Sequence, residues 1–366
     1  MKSEDFRKYL HRHPELPCKE QATMAFIAEQ LSELGIEYCP VSDAGLLARI
    51  EGKRGNLKRC VVLCADVSAM PIAELTTVEW ASQTEGVMHA AGNDFNAALL
   101  YGVLKRLYAN RDFEGTLLVL FQSGEMAGQG GARAILAEDV IKDYNVAAFI
   151  GNYLDDCLEV GEIGFCPGRF MPSLDTLHFT VKNPNAAVGG AAKDSVVALS
   201  DLIMRLYTFN SDVCSLVINH LSADGVAEKP AEQSYCEGKM WSFDEKLRAR
   251  VKDMIAHMTE EIEYKYDVEI CSDVRYCTPC VENDAQLTYE AMLLADTLGY
   301  AVKDLERRDF SSDFGYYSQL YPSLYYSLGV GAKSGRALTA TFLPDERAIA
   351  VGEEFIYQLA LNILNK

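Results

Sequence analysis

The chain has 366 residues, 49% of them hydrophobic and 24% charged, with a formal net charge of −19. That length exceeds one ordinary core and predicts two domains. So strong a negative charge repels phosphate backbones and anionic bilayers, which excludes nucleic acid and the membrane surface as partners.

Read in order, the chain opens on MKSEDFRKYLHRHPEL, charged from its second residue, where neither signal peptide nor membrane span is expected. Residues 3–12 and 19–34 have the spacing of amphipathic helices, broken at His13-Pro14-Glu15 and stopped by Gly35. Short β-prone pieces follow at 36–39 and 46–50. The apolar runs CVVLCADV (60–67) and TLLVLFQSGE (116–125) predict buried strands whose C-terminal ends carry acids, Asp66 and Glu125. Between them VMHAAGNDFNAALLYGVLKRL (87–107) predicts a polar turn running into a buried helix, with Leu99, Leu100, Val103, Leu104 and Leu107 on one face. A glycine-rich turn, a helix through Ile135 and a strand at 146–150 complete a mainly parallel α/β pattern covered on both faces. In open α/β sheets the carboxyl edge of the strands is where sites form.

The pattern changes near Ser173. Leu177, Phe179 and Val181 alternate with polar residues, as in a half-solvated strand. A helix (196–207), strands at 215–221 and 234–241, a charged helix (244–263) and a strand (267–274) give the β-α-β-β-α-β order of a ferredoxin-like domain. After Pro279 the larger pattern resumes with a helix (285–298), a strand (323–328) and a final helix (345–364). The predicted organisation is therefore a discontinuous α/β/α domain, 1–172 plus 282–366, carrying an inserted α+β domain at 173–281. Eleven cysteines in irregular spacing predict reduced thiols and a cytoplasmic location. The one Cys-x-x-Cys, Cys277 and Cys280, has no second pair to complete a zinc site.

Four stretches carry a resemblance: LHRHPELPCKE near the N-terminus, LCADVSAMPIAE, MHAAGNDFN and FQSGEM. With them the chain resembles, over nearly its whole length, the zinc-dependent family of aminoacylases, hippurate hydrolases, auxin-conjugate hydrolases and N-acetyldiaminopimelate deacetylases. The resemblance implies a zinc-peptidase-like (phosphorylase/hydrolase-like) α/β/α domain with a ferredoxin-like lid and dimerisation domain. It also implies a homodimer through 173–281, where the edge strand 213–221 can pair with its symmetry mate.

The family's chemistry aligns with different residues here. Its metal-binding cysteine and histidine fall at Ala91 and Asn93, its second glutamate at Met126, and a further histidine at Asn152 within FIGNY. A last histidine falls at Thr339, its carboxylate-binding arginine at Trp241, and its lid histidine near 185–187, where the sequence has none. Zinc and manganese need thiolate, imidazole or carboxylate donors, and amides or thioethers are poor substitutes. Glu125 keeps the general-base position, with Asp66, Asp94 and His89 beside it, and His11 and His13 read as structural. The expectation is thus a catalytically depleted, metal-free relative with no cofactor that binds a small ligand in a cleft including His89, Asn152 and Trp241. The alternative is a working amidohydrolase or peptidase with a rebuilt zinc or manganese site drawing on Glu125, Asp66, Asp94 and Asp155 or Asp156. A third reading is a structural partner of an active paralogue.

Overall fold

Every residue of β3 (Arg59–Asp66) after its first is buried, as is all of β4 (Thr116–Gln122). Strands apolar on both faces must be covered on both faces. In the computed structural model, which describes residues 1–124, 131–183, 194–225 and 231–366, these strands sit near the middle of an eight-stranded sheet, order β1-β2-β4-β3-β5-β14-β6-β13. The other members are β1 (Glu37–Val41), β2 (Gly45–Glu51), β5 (Asn145–Asp155), β6 (Glu162–Phe165), β13 (Ala301–Asp304) and β14 (Ser323–Gly329). Helices α1 (Ser3–Arg12), α2 (Gln21–Leu34), α3 (Asn93–Ala109), α4 (Gly131–Ala137), α7 (Ala285–Thr297), α8 (Gly315–Ser318) and α9 (Arg347–Leu364) belong to the same unit. So do the short strand β12 (Val281–Asn283) and most of β7 (Gly168–Met171).

The sheet is mixed where the sequence predicts a mainly parallel one. β3 is parallel to both its neighbours, and β5 to β14. The β1–β2, β2–β4 and β14–β6 pairs are antiparallel. The reason at the first edge is chain length: only residues 42–44 join β1 to β2, too few for the crossover that a parallel pair needs. The second strand run also stops at Gln122, three residues before the acid at 125.

α3 is buried almost throughout, from Asn93 to Leu104. Its preceding residue, Gly92, has φ +77°, and a Cβ there would lie 2.4 Å from Leu154 Cδ1. Only glycine fits that turn, which feeds the chain from the strand side directly into the helix.

The unit just described comprises residues 1–170, 281–307 and 313–366, and a second unit comprises 171–280 and 308–312. The latter holds β8 (Ser173–Lys182), α5 (Ser195–Leu206), β9 (Cys214–Ala223), β10 (Gln233–Ser242), α6 (Glu245–Tyr266) and β11 (Glu269–Thr278). That is the expected β-α-β-β-α-β order, and its sheet runs β11-β8-β10-β9. β8 alternates buried and half-buried residues along nine positions. Its inner side chains, Leu177, Phe179 and Val181, join Leu199 and Leu202 of α5 and Val251 and Ile255 of α6 in one core. Arg248 of α6 lies beside Asp175 of β8, with Nε 2.8 Å from Oδ2. Both are buried, so this pair ties helix to sheet inside the apolar core.

Candidate active site

Asp66 ends β3, and its Oδ1 accepts from the Ser68 backbone N–H (2.7 Å) and from Asn93 Nδ2 (2.9 Å). Asn93 Nδ2 also donates to the Ser68 carbonyl at 2.8 Å. Two acceptors face the same atom, so the Asn93 amide is turned with its N–H2 group toward Asp66. One helical turn on, Asn96 Oδ1 accepts from Asn152 Nδ2 at 2.7 Å, and Asn96 Nδ2 donates to the Asn152 carbonyl at 3.3 Å. Asn152 lies on β5, so the first turn of α3 bridges two strands through carboxamides. All four residues are at most 8% exposed.

Asp94, the next residue on α3, faces a different environment. Its Oδ2 accepts from His11 Nδ1 (2.9 Å) and Arg7 Nε (3.3 Å), both on α1. His11 Nε2 lies 3.2 Å from Glu74 Oε1, so both ring nitrogens meet carboxylates and both carry protons. Burial opposes a charged His11, but Asp94 and Glu74 outweigh it and raise its pKa to about 9. Burial likewise works against an ionised Asp94, yet His11 and Arg7 hold it well below the usual carboxylate range. Trp80 stands edge-on to His11 at 4.9 Å, with the Arg7 guanidinium 4.9 Å from its ring. Asp94 is thus a supporting anion that fastens α1 to α3.

His89 is 1% exposed, and neither ring nitrogen has a hydrogen bond of ordinary geometry. Burial pushes its pKa down to about 4 against the pull of Asp94, so it is neutral at pH 7. Ala91 is half-buried in the turn before α3 and offers no donor atom. The Leu338 N–H donates to the Ala90 carbonyl at 2.9 Å, which sets the 338–339 stretch beside that turn. Thr339 itself turns its hydroxyl to the Arg336 carbonyl (2.6 Å). Trp241 lies half-buried on β10 of the second unit, between Leu174 and Ser215. Glu125, Met126 and the 185–187 stretch lie outside the described residues.

The sequence reading overlooked four members of this region. Arg7 and Glu74 complete the His11–Asp94 network. Gln122, at the end of β4, donates through Nε2 to both oxygens of Asp313 (3.0 and 2.9 Å) and accepts from Tyr317 Oη (2.7 Å). Burial pushes the Asp313 pKa up to about 6, although Gln122 and the Ala132 N–H both donate to it. A signal existed for Arg7, which stands four residues before His11 on the same helix face. None existed for Asp313, which is 191 residues from Gln122 in sequence.

Asp155 and Asp156 have ligating atoms within 4.8 Å of each other and of Cys157 Sγ. Both carboxylates already accept backbone donors, from the Cys157 N–H at 3.0 Å and the Ala337 N–H at 2.5 Å.

The model of peptidase family M20/M25/M40 matches residues 62–362. The chain belongs to this family. It is 29% identical to the N-acetyl-L-cysteine deacetylase of Bacillus subtilis, covering 98% of this chain and 87% of that one. It is also 29% identical to the N-acetyldiaminopimelate deacetylase of Pediococcus pentosaceus, over 98% and 97% of the two chains. A B. subtilis structure described as a dinuclear metal binding peptidase from the M20 family superposes with TM-score 0.87 at 28% identity, covering 99% of this chain and 97% of that one. A protein from methicillin resistant Staphylococcus aureus superposes with TM-score 0.91 at 24% identity, over 99% and 96% of the chains, and supports the fold alone.

These findings bear out the resemblance and the fold class: this is an M20 chain. They overturn the expectation of no cofactor, because an M20 structure alike over the whole chain is a dinuclear metal binder. The described residues fit such a centre poorly all the same. Asn93 points an N–H2 group, not a lone pair, at Asp66. The N–H2 group of Asn152 is likewise engaged as a donor. Among the described residues no helix is long and apolar enough to cross a membrane.

Proposed function

We propose that this M20 chain binds an N-acyl amino acid, or a related small amide, in the cleft at the ends of β3 and β5, and that its hydrolytic chemistry is depleted. One observation carries this reading: the Asn93 N–H2 group is held 2.9 Å from Asp66 Oδ1 and 2.8 Å from the Ser68 carbonyl. An amide donor fixed on Asp66 Oδ1 occupies a lone pair that a cation would otherwise take, and the Asn93 side chain presents no lone pair there. Neutral His89 and the Asn96–Asn152 pair offer polar, uncharged groups that suit an amide ligand better than an ionised one. The deacetylase names of two relatives supply the ligand class. The rebuilt-hydrolase alternative loses support where it needs Asp94, which His11 and Arg7 engage.

Calorimetric titration with N-acetyl-L-cysteine and N-acetyldiaminopimelate, with proton NMR on the same samples, tests this reading. The expected result is saturable heat with the ligand intact. Prompt release of acetate overturns it.

We assign self-association to β9, an edge of the second unit's sheet that exposes Val217 and Leu221. A dimer mass by light scattering at micromolar concentration is the expected result, and a monomer contradicts it. All 11 cysteines are unbridged, which suits a reducing compartment such as the cytoplasm.

A further inference from the structure

A cavity of about 430 Å³ opens on the first unit between α2, the β1–β2 hairpin and the end of β4. Its wall is apolar on the helix side, with Met24, Ala28 and Leu46, and polar at the other end, with Glu20, Asp43 and Ser123. Among the described residues no basic side chain lines it. Glu20 is 3% exposed; its Oε1 accepts from the Gly124 N–H at 3.2 Å, while its Oε2 has no hydrogen-bond partner among the described residues. A buried carboxyl oxygen without a donor carries an uncompensated desolvation penalty that an incoming donor removes.

Two further observations favour a built site. Cys18 (φ 63°) and Ser42 (φ 50°) both line the cavity, and both are non-glycine residues held in the left-handed region. The free N–H groups of the first turn of α2 do not offer an anion site, because Glu15 accepts from those of Ala22 (3.3 Å) and Thr23 (2.8 Å). The field inside the cavity is negative. The Cys18 thiol is pushed above its ordinary value by burial first, then by Glu20 and Asp66.

We infer that this cavity is a second small-molecule site, separate from the cleft, which takes a primary ammonium on Glu20 and an apolar tail along α2. Size agrees, since cavities of a few hundred Å³ hold small ligands. The site also touches the hydrolase-type edge: the Gly124 N–H shared by Glu20 donates at 2.9 Å to Ser68 Oγ, next to Asp66.

Cys18 is exposed and reports occupancy directly. The full-length protein is alkylated with iodoacetamide at constant ionic strength, with n-butylammonium chloride, n-butanol or sodium butyrate present, and each cysteine is followed by peptide mass spectrometry. Butylammonium is expected to slow alkylation of Cys18 at least threefold while leaving the exposed Cys157 and Cys271 unchanged. Butanol and butyrate are expected to have no effect. Glu20→Gln is expected to abolish the protection. Should that variant not fold, Ala25→Trp, at an exposed position on the rim, fills the mouth and is expected to cancel any butylammonium effect. The proposal is overturned by unprotected Cys18 in the wild type, by equal protection from butanol, by equal slowing at Cys157 and Cys271, or by protection that survives either substitution.

Discussion

Asn93 and Asp94 are consecutive on α3 and both buried, yet they face regions built on opposite principles. Around Asp94 the chain concentrates charge: Arg7 and His11 meet Asp94 at 3.3 and 2.9 Å, and His11 meets Glu74 at 3.2 Å. Around Asn93 it uses carboxamides, and among the described residues Asp66 is the acid that Asn93 hydrogen-bonds. Buried charge is tolerated when each ion meets a partner of opposite sign and its hydrogen bonds are filled. The Asp94 side meets the first requirement with its own side chains, while Arg7 Nη2 and Asp94 Oδ1 have no hydrogen-bond partner among the described residues. The Asn93 side limits the charge to one carboxylate and supplies it with N–H donors. The support around Asp94 is thus built on ions, while the stretch around Asn93 is built on carboxamides with a single carboxylate, Asp66.

Breaking the ionic side has the largest expected effect. Asp94→Ala leaves His11 and Arg7 charged, buried and short of a partner, and is expected to cost about 3–5 kcal/mol in urea denaturation. A loss under about 1 kcal/mol shows that the network does not fasten α1 to α3.

Titrating the same network sharpens the contrast. The His11 pKa in the folded chain lies above its ordinary 6.5, at about 9, so its contribution is complete below pH 6.5 and is lost as pH rises through about 9. Asp94 and Glu74 lie below their ordinary 3.8 and 4.5, so their contributions are present above those values and are lost on acidification. Stability from this region is thus greatest between about pH 4.5 and 6.5. Denaturation from pH 6.5 to 9.5 is expected to show a fall on the order of 2–3 kcal/mol, absent in His11→Gln. A flat profile contradicts the assignment.

On the neutral side the sign reverses. Asn93→Asp replaces a donor to Asp66 by a second acid, and one of the two must then protonate or pay a repulsion. The expected loss is roughly 1–3 kcal/mol at pH 7, shrinking as pH falls toward 5. Unchanged stability at pH 7 means that the two side chains are not in contact.

Much of this contrast was legible in the sequence, and the part that was not has a physical cause. Strand and helix periodicities placed Asp66 at a strand end and Asn93 and Asp94 at the opening of a buried helix, because both signals are local. The β-α-β-β-α-β order of the second unit was legible for the same reason. The mixed sheet was missed because pairing direction depends on loop length and register, not on the apolar pattern of a strand. Arg7, Glu74 and Asp313 were missed because their partners lie 87, 63 and 191 residues away. The expectation of no cofactor failed for a different reason: donor types at aligned positions describe this chain alone, while metal use is a property that the comparison with an M20 structure brings in.

The proposal that the edge around Asp66 and Asn93 binds N-acyl amino acids without turning them over is tested by catalysis itself. The direct measurement is kcat/KM for N-acetyl-L-cysteine and N-acetyldiaminopimelate, with zinc or manganese added, beside the B. subtilis deacetylase under identical conditions. The expected value is at least ~1,000-fold below that of the relative, the scale on which loss of a water-activating arrangement acts. A value within about tenfold of the relative contradicts it.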